Sequence, residues 1–151
     1  MGICYGLQLM VIEFARNVCG LAASSAEIDE NAKDLVVDIL PEQKNITDKG
    51  GTMRLGCYEA RVLEDTRLYE LYGKTLNERH RHRYEVNPQY HHVLEKNGLF
   101  FSAISPNGKL VECIELPNHP YFMGCQGHPE LKSRLESPAP LFVGLLKACM
   151  R

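Results

Sequence analysis

The stretch Gly2-Ile3-Cys4-Tyr5-Gly6 opens the sequence, and an apolar helical pattern from Leu7 to Val18 follows it directly. A cysteine flanked by glycines, between a strand end and a helix, is typical of a sharp strand–turn–helix bend, because glycine lets neighbouring backbone pass closely. The N-terminus of the helix would point at the sulfur, and its dipole favours thiolate. The pattern predicts a nucleophilic Cys4, although a buried cysteine at a strand end would leave the same short signature.

A second short motif, Gly127-His128-Pro129-Glu130, lies far downstream. A thiol that attacks an amide needs a base, and the base needs a carboxylate to hold its tautomer. Residues two apart in an extended turn can place both side chains along one edge. The motif therefore predicts His128 as base and Glu130 as its orienting group, with an exposed loop histidine beside a surface glutamate as the alternative.

A basic run, Arg79-His80-Arg81-His82-Arg83, is the third candidate. In an extended segment the three arginines share one face and the two histidines share the other. Such a face could bind a carboxylate or a phosphate, or it could be a solvated basic strand. A nucleic-acid patch is disfavoured, because no further basic surface extends the run.

Helix and strand patterns alternate along the chain, which predicts an α/β domain with an added antiparallel portion. Gly20 is a plausible end for the first helix, and Asn87-Pro88 resembles the cap and first residue of a later helix that ends near Gly98. The other predicted elements are a strand over 35–40, a loop over 42–52, a strand over 53–63, a helix over 66–72 stopped by Gly73, a hairpin with arms 99–104 and 109–116 around Ser105-Pro106-Asn107-Gly108, a strand over 121–126, and a final helix opened by Ser137-Pro138.

Composition sets broad limits on function. The 151 residues suit one domain or most of one, and the net charge of -2 gives no reason to expect nucleic acid or an anionic membrane as partner. No apolar run reaches the roughly 18 residues of a membrane span, and no signal peptide is evident, so we expect a cytoplasmic protein. The six cysteines form no CxxC pair, which favours reduced thiols and disfavours a zinc site; we expect no metal.

Taken together, the motifs resemble those of the CTP synthase family, in its C-terminal glutaminase domain, a class I glutamine amidotransferase. The similar stretches appear in family order and cover nearly the whole chain; they are GICYGLQ, ARNV, SSAEID, GGTMRLG, RHRHRYEVN, PNHPYF and CQGHPE. The resemblance implies a flavodoxin-like α/β fold. Residues 1–151 would form a partial amidotransferase domain that starts at the nucleophile elbow, without the family's synthetase domain.

The resemblance also implies residue roles. Cys4 would form a glutamyl thioester, His128 would act as base and then acid, and Glu130 would orient it. Arg83 would meet the α-carboxylate of L-glutamine and Glu27 its α-amino group, which suits a zwitterion that needs one cation and one anion placed apart. The residues expected to line the glutamine site around the elbow are Tyr5, Gly6, Leu7 and Gln8.

In the family, released ammonia travels to the synthetase domain, which uses ATP and magnesium to activate UTP for amination to CTP. This chain is thus expected to need no cofactor of its own, to have L-glutamine and a synthetase domain as partners, and to belong to a full-length homotetramer. Without the preceding part of the glutaminase domain we expect weak or no activity and poor solubility; a binding or regulatory remnant is the alternative function.

Two positions depart from the family pattern. Gly127 stands where a large apolar or aromatic residue is common, and Tyr5 stands where leucine is common. We expect Gly127 to loosen the loop that places His128, and Tyr5 to alter the pocket wall.

Overall fold

Thirteen regular elements make up the part of the chain that the computed structural model describes, residues 1–39 and 53–150. The helices are α1 (Tyr5–Asn17), α2 (Arg67–Tyr72), α3 (His91–Lys96) and α4 (Pro140–Cys149), and short 3₁₀ turns cover Pro88–Tyr90 and Pro129–Leu131. The strands are β1 (Gly2–Ile3), β2 (Ala23–Ser25), β3 (Asp34–Ile39), β4 (Arg54–Val62), β5 (Thr75–His82), β6 (Tyr84–Val86), β7 (Phe100–Ile104), β8 (Val111–Leu116) and β9 (Phe122–Cys125).

The strands form a six-stranded and a three-stranded sheet. The larger sheet has the order β1-β9-β8-β7-β4-β5, in which β1 runs parallel to β9 and the remaining neighbours are antiparallel. The smaller sheet has the order β2-β3-β6, with β2 parallel and β6 antiparallel to β3. This mixed arrangement confirms the predicted α/β fold with an antiparallel hairpin portion.

Helix α1 packs between the two sheets and supplies much of the core. Its fully buried Leu7 and Val11 join Val36 of the smaller sheet and Ile114 of the larger one in a single apolar cluster. A second cluster lies around Leu68 of α2 and Leu141 of α4. Burying a side chain of this size contributes roughly 1.5–3 kcal/mol to the stability of the fold. Helix α1 therefore holds both sheets in place relative to Cys4, the residue that precedes the helix.

Most predicted elements are present with small shifts at their ends. Thr66 caps α2 by accepting a hydrogen bond from the Tyr69 amide, and the positive φ of 72° at Gly73 ends that helix. The hairpin of β7 and β8 is confirmed, with Gly108 at φ 75° in its turn. The 35–40 strand is confirmed over 35–39 and starts one residue earlier, at Asp34.

Some expectations need correction. The helix expected from Asn87 is split into a 3₁₀ turn and α3, although the Asn87 side chain does accept the expected capping bond from Gln89. The final helix begins at Pro140, not at Ser137-Pro138. Strand β2 went unpredicted, and the expected loop over 42–52 lies outside the described residues.

Among the described residues, no helix is both long and apolar enough to traverse a bilayer.

The basic run follows the predicted alternation. His80 and His82 are buried on the inner face of β5, whereas Arg79 and Arg81 are exposed on the outer face. The two imidazoles contact each other, His80 Nδ1 to His82 Nε2, at 2.9 Å. Burial, assisted by the positive charge of Arg54, lowers the pKa of His80 to about 4 and that of His82 to about 3, so both rings are neutral near pH 7.

Two buried glutamates and Arg54 complete this polar cluster beneath the sheet. Arg54 lies 3.2 Å from Glu85 Oε1 and 2.9 Å from Glu112 Oε1, while His82 Nδ1 lies 3.5 Å from Glu85 Oε1. Burial raises the pKa of Glu85 to about 8; Arg54 opposes that rise and Glu112 adds to it. One guanidinium thus faces two carboxyls, and burial favours the protonated form of Glu85.

Replacing Glu85 with glutamine tests this cluster through the pH dependence of stability. Since the pKa of Glu85 rises from 4.5 to about 8 on folding, the native protein retains a proton that the unfolded chain loses. Wild-type stability from this group therefore falls as pH rises between those values. The free energy of unfolding of Glu85→Gln should rise relative to wild type between pH 5 and 8, by up to ~1 kcal/mol per pH unit.

The measurement is urea unfolding at several pH values, with the exposed Glu64→Gln as matched control. Glu64→Gln should run parallel to wild type. Parallel curves for Glu85→Gln as well would contradict the raised pKa.

Candidate active site

Cys4 occupies a strained backbone conformation at the bend between β1 and α1. Its φ of 51° and ψ of -107° are unusual for a residue with a side chain, and such strain is retained where the surrounding structure enforces it. Gly2 lies so close to the helix start that a Cβ there would be 2.6 Å from the Gly6 carbonyl. The predicted elbow is present, and of its two glycines only Gly2 is required by close packing, since a Cβ on Gly6 would meet open space.

Parallel pairing of β1 with β9 joins the two predicted motifs. The register sets Ile3 beside Cys125, and the Cys4 amide donates a 2.7 Å hydrogen bond to the Cys125 carbonyl. Both strands therefore end side by side, and the chain leaving β9 runs through Gln126 into His128. The carboxyl ends of neighbouring parallel strands are a common location for functional groups.

His128 and Glu130 form the expected pair. His128 Nδ1 lies 2.6 Å from Glu130 Oε1, and 42% of the Glu130 side chain is exposed. A carboxylate at Nδ1 holds the proton there and leaves Nε2 as the acceptor. That Nε2 is buried and has no hydrogen-bond partner among the described residues. A buried ring nitrogen without a partner is suited to accept a proton.

The turn that carries His128 is packed against β5. The His128 amide donates a 2.7 Å hydrogen bond to the Arg79 carbonyl. Gly127 is buried, and a Cβ there would stand 2.7 Å from Glu78 Cβ. The expectation that Gly127 loosens this turn needs correction, because the missing side chain is what lets the turn lie directly on the strand.

Gln126 is a contact of the nucleophile that sequence reasoning missed. Its side chain is fully buried, and its Nε2 lies 3.7 Å from Cys4 Sγ. Gln126 Oε1 accepts a 3.2 Å hydrogen bond from Gln8 Nε2, which also donates to the Tyr84 carbonyl at 2.9 Å. Gln8 thus links α1, β6 and the residue after β9. The available sequence signal was a polar amide at the end of the predicted 121–126 strand, in the CQGHPE stretch.

A cavity of about 240 Å³ opens at the elbow. Five of the residues predicted for the site line it: Cys4, Tyr5, Gln8, Glu27 and Arg83. Four others were not predicted for its wall: Met53, Arg81, His82 and Tyr84. The cavity wall therefore includes the exposed Glu27 carboxylate, the Arg83 guanidinium and the Cys4 thiol, which come from separate segments of the chain. This combination suits a small zwitterion with a reactive carbonyl.

Two other predicted residues lie differently. Leu7 is fully buried in the core, so its side chain faces the sheets and only its backbone is available to a ligand. Gly6, the next residue toward the elbow, has no side chain to contribute. Both belong to the first turn of α1, where backbone N–H groups have no partner within the helix. Among the described residues, no three His, Cys, Asp or Glu side chains come together to hold a metal ion.

The electrostatics of Cys4 differ from the expectation of a thiolate favoured by the helix dipole. Burial raises the pKa of Cys4, and the negative charges of Glu130 and Glu27 raise it further. A hydrogen bond from the Tyr5 amide lowers that pKa without offsetting the rise. The resting nucleophile is therefore a thiol, and its reaction depends on a base to remove the proton.

Alkylation of Cys4 by iodoacetamide should keep accelerating with pH beyond 9, because its pKa lies above the ordinary value of 9.0. Glu27→Gln should shift the profile to lower pH, since it removes a neighbouring negative charge, whereas the exposed Glu30→Gln in the same segment should leave it unchanged. Peptide mass mapping over pH 6–11 resolves Cys4 from the other five cysteines. A Cys4 midpoint below 9 would contradict the raised pKa.

Comparison with known proteins identifies the class. The family model described as glutamine amidotransferase class-I matches residues 1–148. The chain belongs to the class I glutamine amidotransferase family. Within that family it corresponds to the glutaminase domain of CTP synthases, as the following relatives show.

The chain is 59% identical over 149 residues to the CTP synthase of Methanococcus maripaludis, and 59% identical over 152 residues to that of Methanocaldococcus jannaschii. These alignments cover 98% and 99% of the chain but only 28% of either relative. The chain thus spans little more than a quarter of the length of the curated relatives it matches.

Solved structures agree. The glutaminase domain of Trypanosoma brucei CTPS, which was solved with bound acivicin, superimposes with a TM-score of 0.89 at 36% identity, covering 97% of this chain and 58% of that one. A GMP synthase subunit from Thermoplasma acidophilum has a TM-score of 0.60 at 15% identity, covering 99% of this chain and 56% of that one, which shows a shared fold alone.

Proposed function

We propose that this chain hydrolyses the side-chain amide of L-glutamine through a Cys4 thioester, and that the ammonia serves the amination of UTP to CTP. One observation carries the proposal: the Cys4 elbow is hydrogen-bonded to the strand that leads into the His128–Glu130 pair. The similarity to CTP synthases, and to a glutaminase domain solved with acivicin, supports glutamine as substrate.

Substrate recognition divides between opposite charges of the cavity. Arg83 binds the α-carboxylate of glutamine, because a guanidinium matches a carboxylate in shape and charge. Glu27 binds the α-ammonium group. With both ends of the zwitterion held, the side-chain amide extends toward Cys4, and Tyr5 and Gln8 flank it. Backbone N–H groups of Gly6 and Leu7 are suited to the developing oxyanion.

The chemistry follows from the resting thiol. His128 Nε2 takes the Cys4 proton as sulfur attacks the amide carbon, and Glu130 stabilises the imidazolium that forms. The tetrahedral intermediate collapses to a glutamyl thioester, and His128 returns the proton to the leaving nitrogen, which departs as ammonia. Water, deprotonated by His128, then attacks the thioester and releases glutamate and free Cys4.

The wider reaction requires a partner. Ammonia would pass to a synthetase domain that binds UTP and ATP with magnesium, as in the family that the chain resembles, within a cytoplasmic homotetramer. The residues described here supply glutamine binding and amide cleavage, and that chemistry needs no cofactor in this chain.

Covalent labelling with 6-diazo-5-oxo-L-norleucine, read by intact mass, tests the proposal. One adduct should form on the wild-type chain, L-glutamine should protect against it and D-glutamine should not, and Cys4→Ser should abolish it. Arg83→Ala should slow labelling roughly 10- to 100-fold, since it removes a charged hydrogen bond. The matched control is Arg79→Ala, an exposed arginine outside the cavity wall, and it should label like wild type.

The outcomes separate the alternatives. Labelling that is neither prevented by L-glutamine nor slowed by Arg83→Ala would refute the glutamine site. Glutamine binding with no adduct at Cys4 would refute the catalytic proposal and favour a binding remnant of a CTP synthase.

A further inference from the structure

We propose that Lys132 and Glu78 are positioning residues that clamp the turn carrying His128 and Glu130 onto β5. The inference rests on the proposed function, because it concerns the placement of the base in that reaction. Neither residue lines the cavity with Glu27 and Arg83, so neither is expected to contact glutamine.

One backbone hydrogen bond attaches the start of this turn to β5. The His128 amide donates it to the Arg79 carbonyl, over 2.7 Å. After that point the 3₁₀ turn is closed by its own hydrogen bonds, Leu131 N to His128 O at 3.1 Å and Ser133 N to Pro129 O at 3.0 Å. A single attachment to β5 would leave this closed unit able to pivot about the His128 amide.

Lys132 supplies the second attachment. It directly follows the 3₁₀ turn, and its ammonium group donates to the carbonyl of Asn77 on β5. The same Nζ lies 3.7 Å from Glu78 Oε2. The turn is therefore held to adjacent residues of one strand, at His128 by backbone and at Lys132 by side chain, which removes the pivoting freedom.

Glu78 explains why the second attachment is charged. Only 5% of its side chain is exposed, and Gly127 packs on its Cβ. Burial raises the pKa of Glu78, and Lys132 opposes that rise. The other titratable groups that act on it are Tyr72 and Glu130. A buried carboxylate is costly without a cation, so the ion pair couples the stability of β5 to the seating of the catalytic turn.

Loss of the clamp should affect chemistry more than binding. A displacement of about 1 Å at a catalytic group can cost roughly 10²-fold in rate, whereas the Glu27 and Arg83 contacts stay in place. Lys132→Met should therefore slow Cys4 labelling by the diazo-oxo-norleucine reagent roughly 10- to 100-fold and leave half-protection by L-glutamine unchanged. Lys132→Arg should restore most of the rate, because it keeps the cation.

A double-mutant cycle distinguishes positioning from general destabilisation. If Lys132 acts through His128, Lys132→Met should have little further effect in a His128→Ala background. Glu78→Gln should slow labelling in the same way and show the same dependence on His128. The matched control is Lys74→Met, an exposed lysine immediately before β5, and it should label at the wild-type rate.

Each result decides one question. Wild-type labelling at full rate in Lys132→Met would overturn the clamp and leave the proposed function standing. If Lys132→Met slows labelling by the same factor in the His128→Ala background as in the wild-type background, the clamp would also be overturned, because the loss would then not act through His128. Failure of the wild-type chain to label would instead count against the proposed function.

Discussion

The hydrogen bond from the Cys4 amide to the Cys125 carbonyl, 2.7 Å long, is the contact on which the site depends. It extends the parallel pairing of β1 with β9 by one residue and fixes where both strands end. The strained elbow then projects the thiol beside Gln126, and the next turn of chain brings the His128–Glu130 pair to the same side. Without this register, Cys4 and His128 would not follow neighbouring strands, because the two residues lie at opposite ends of the sequence.

Charge and burial give the groups around this strand pairing different roles. Beneath the sheet, Arg54 donates hydrogen bonds to the buried carboxyls of Glu85 and Glu112, and the neutral imidazoles of His80 and His82 lie beside them. At the end of the same segment, Arg83 lines the cavity. At the elbow, burial and nearby carboxylates keep the thiol protonated, which makes the nucleophile dependent on its base and limits unwanted reactions of Cys4.

Local patterns predicted local structure. The glycine spacing around Cys4 and the apolar stripe after it predicted the elbow and α1, and Gly108 in its turn predicted the hairpin. What depends on contacts between distant segments was not predictable in the same way. Strand β2 has three residues and forms because β3 pairs with it, and Gln126 reaches Cys4 because β9 pairs with β1. The pKa of Cys4 could not be fixed from the sequence for the same reason: the helix dipole is visible in sequence, whereas burial and the position of Glu130 arise from the fold.

The central claim is that strand pairing makes one site from Cys4 and His128. The most direct measurement is NMR of ¹⁵N-histidine-labelled protein before and after alkylation of Cys4. We predict that His128 carries its proton on Nδ1 and that its Nε2 resonance moves on alkylation, whereas the resonances of His119, which contacts Phe122, do not. An unchanged His128 resonance, or a proton on Nε2 in the free protein, would contradict a shared site of Cys4 and His128.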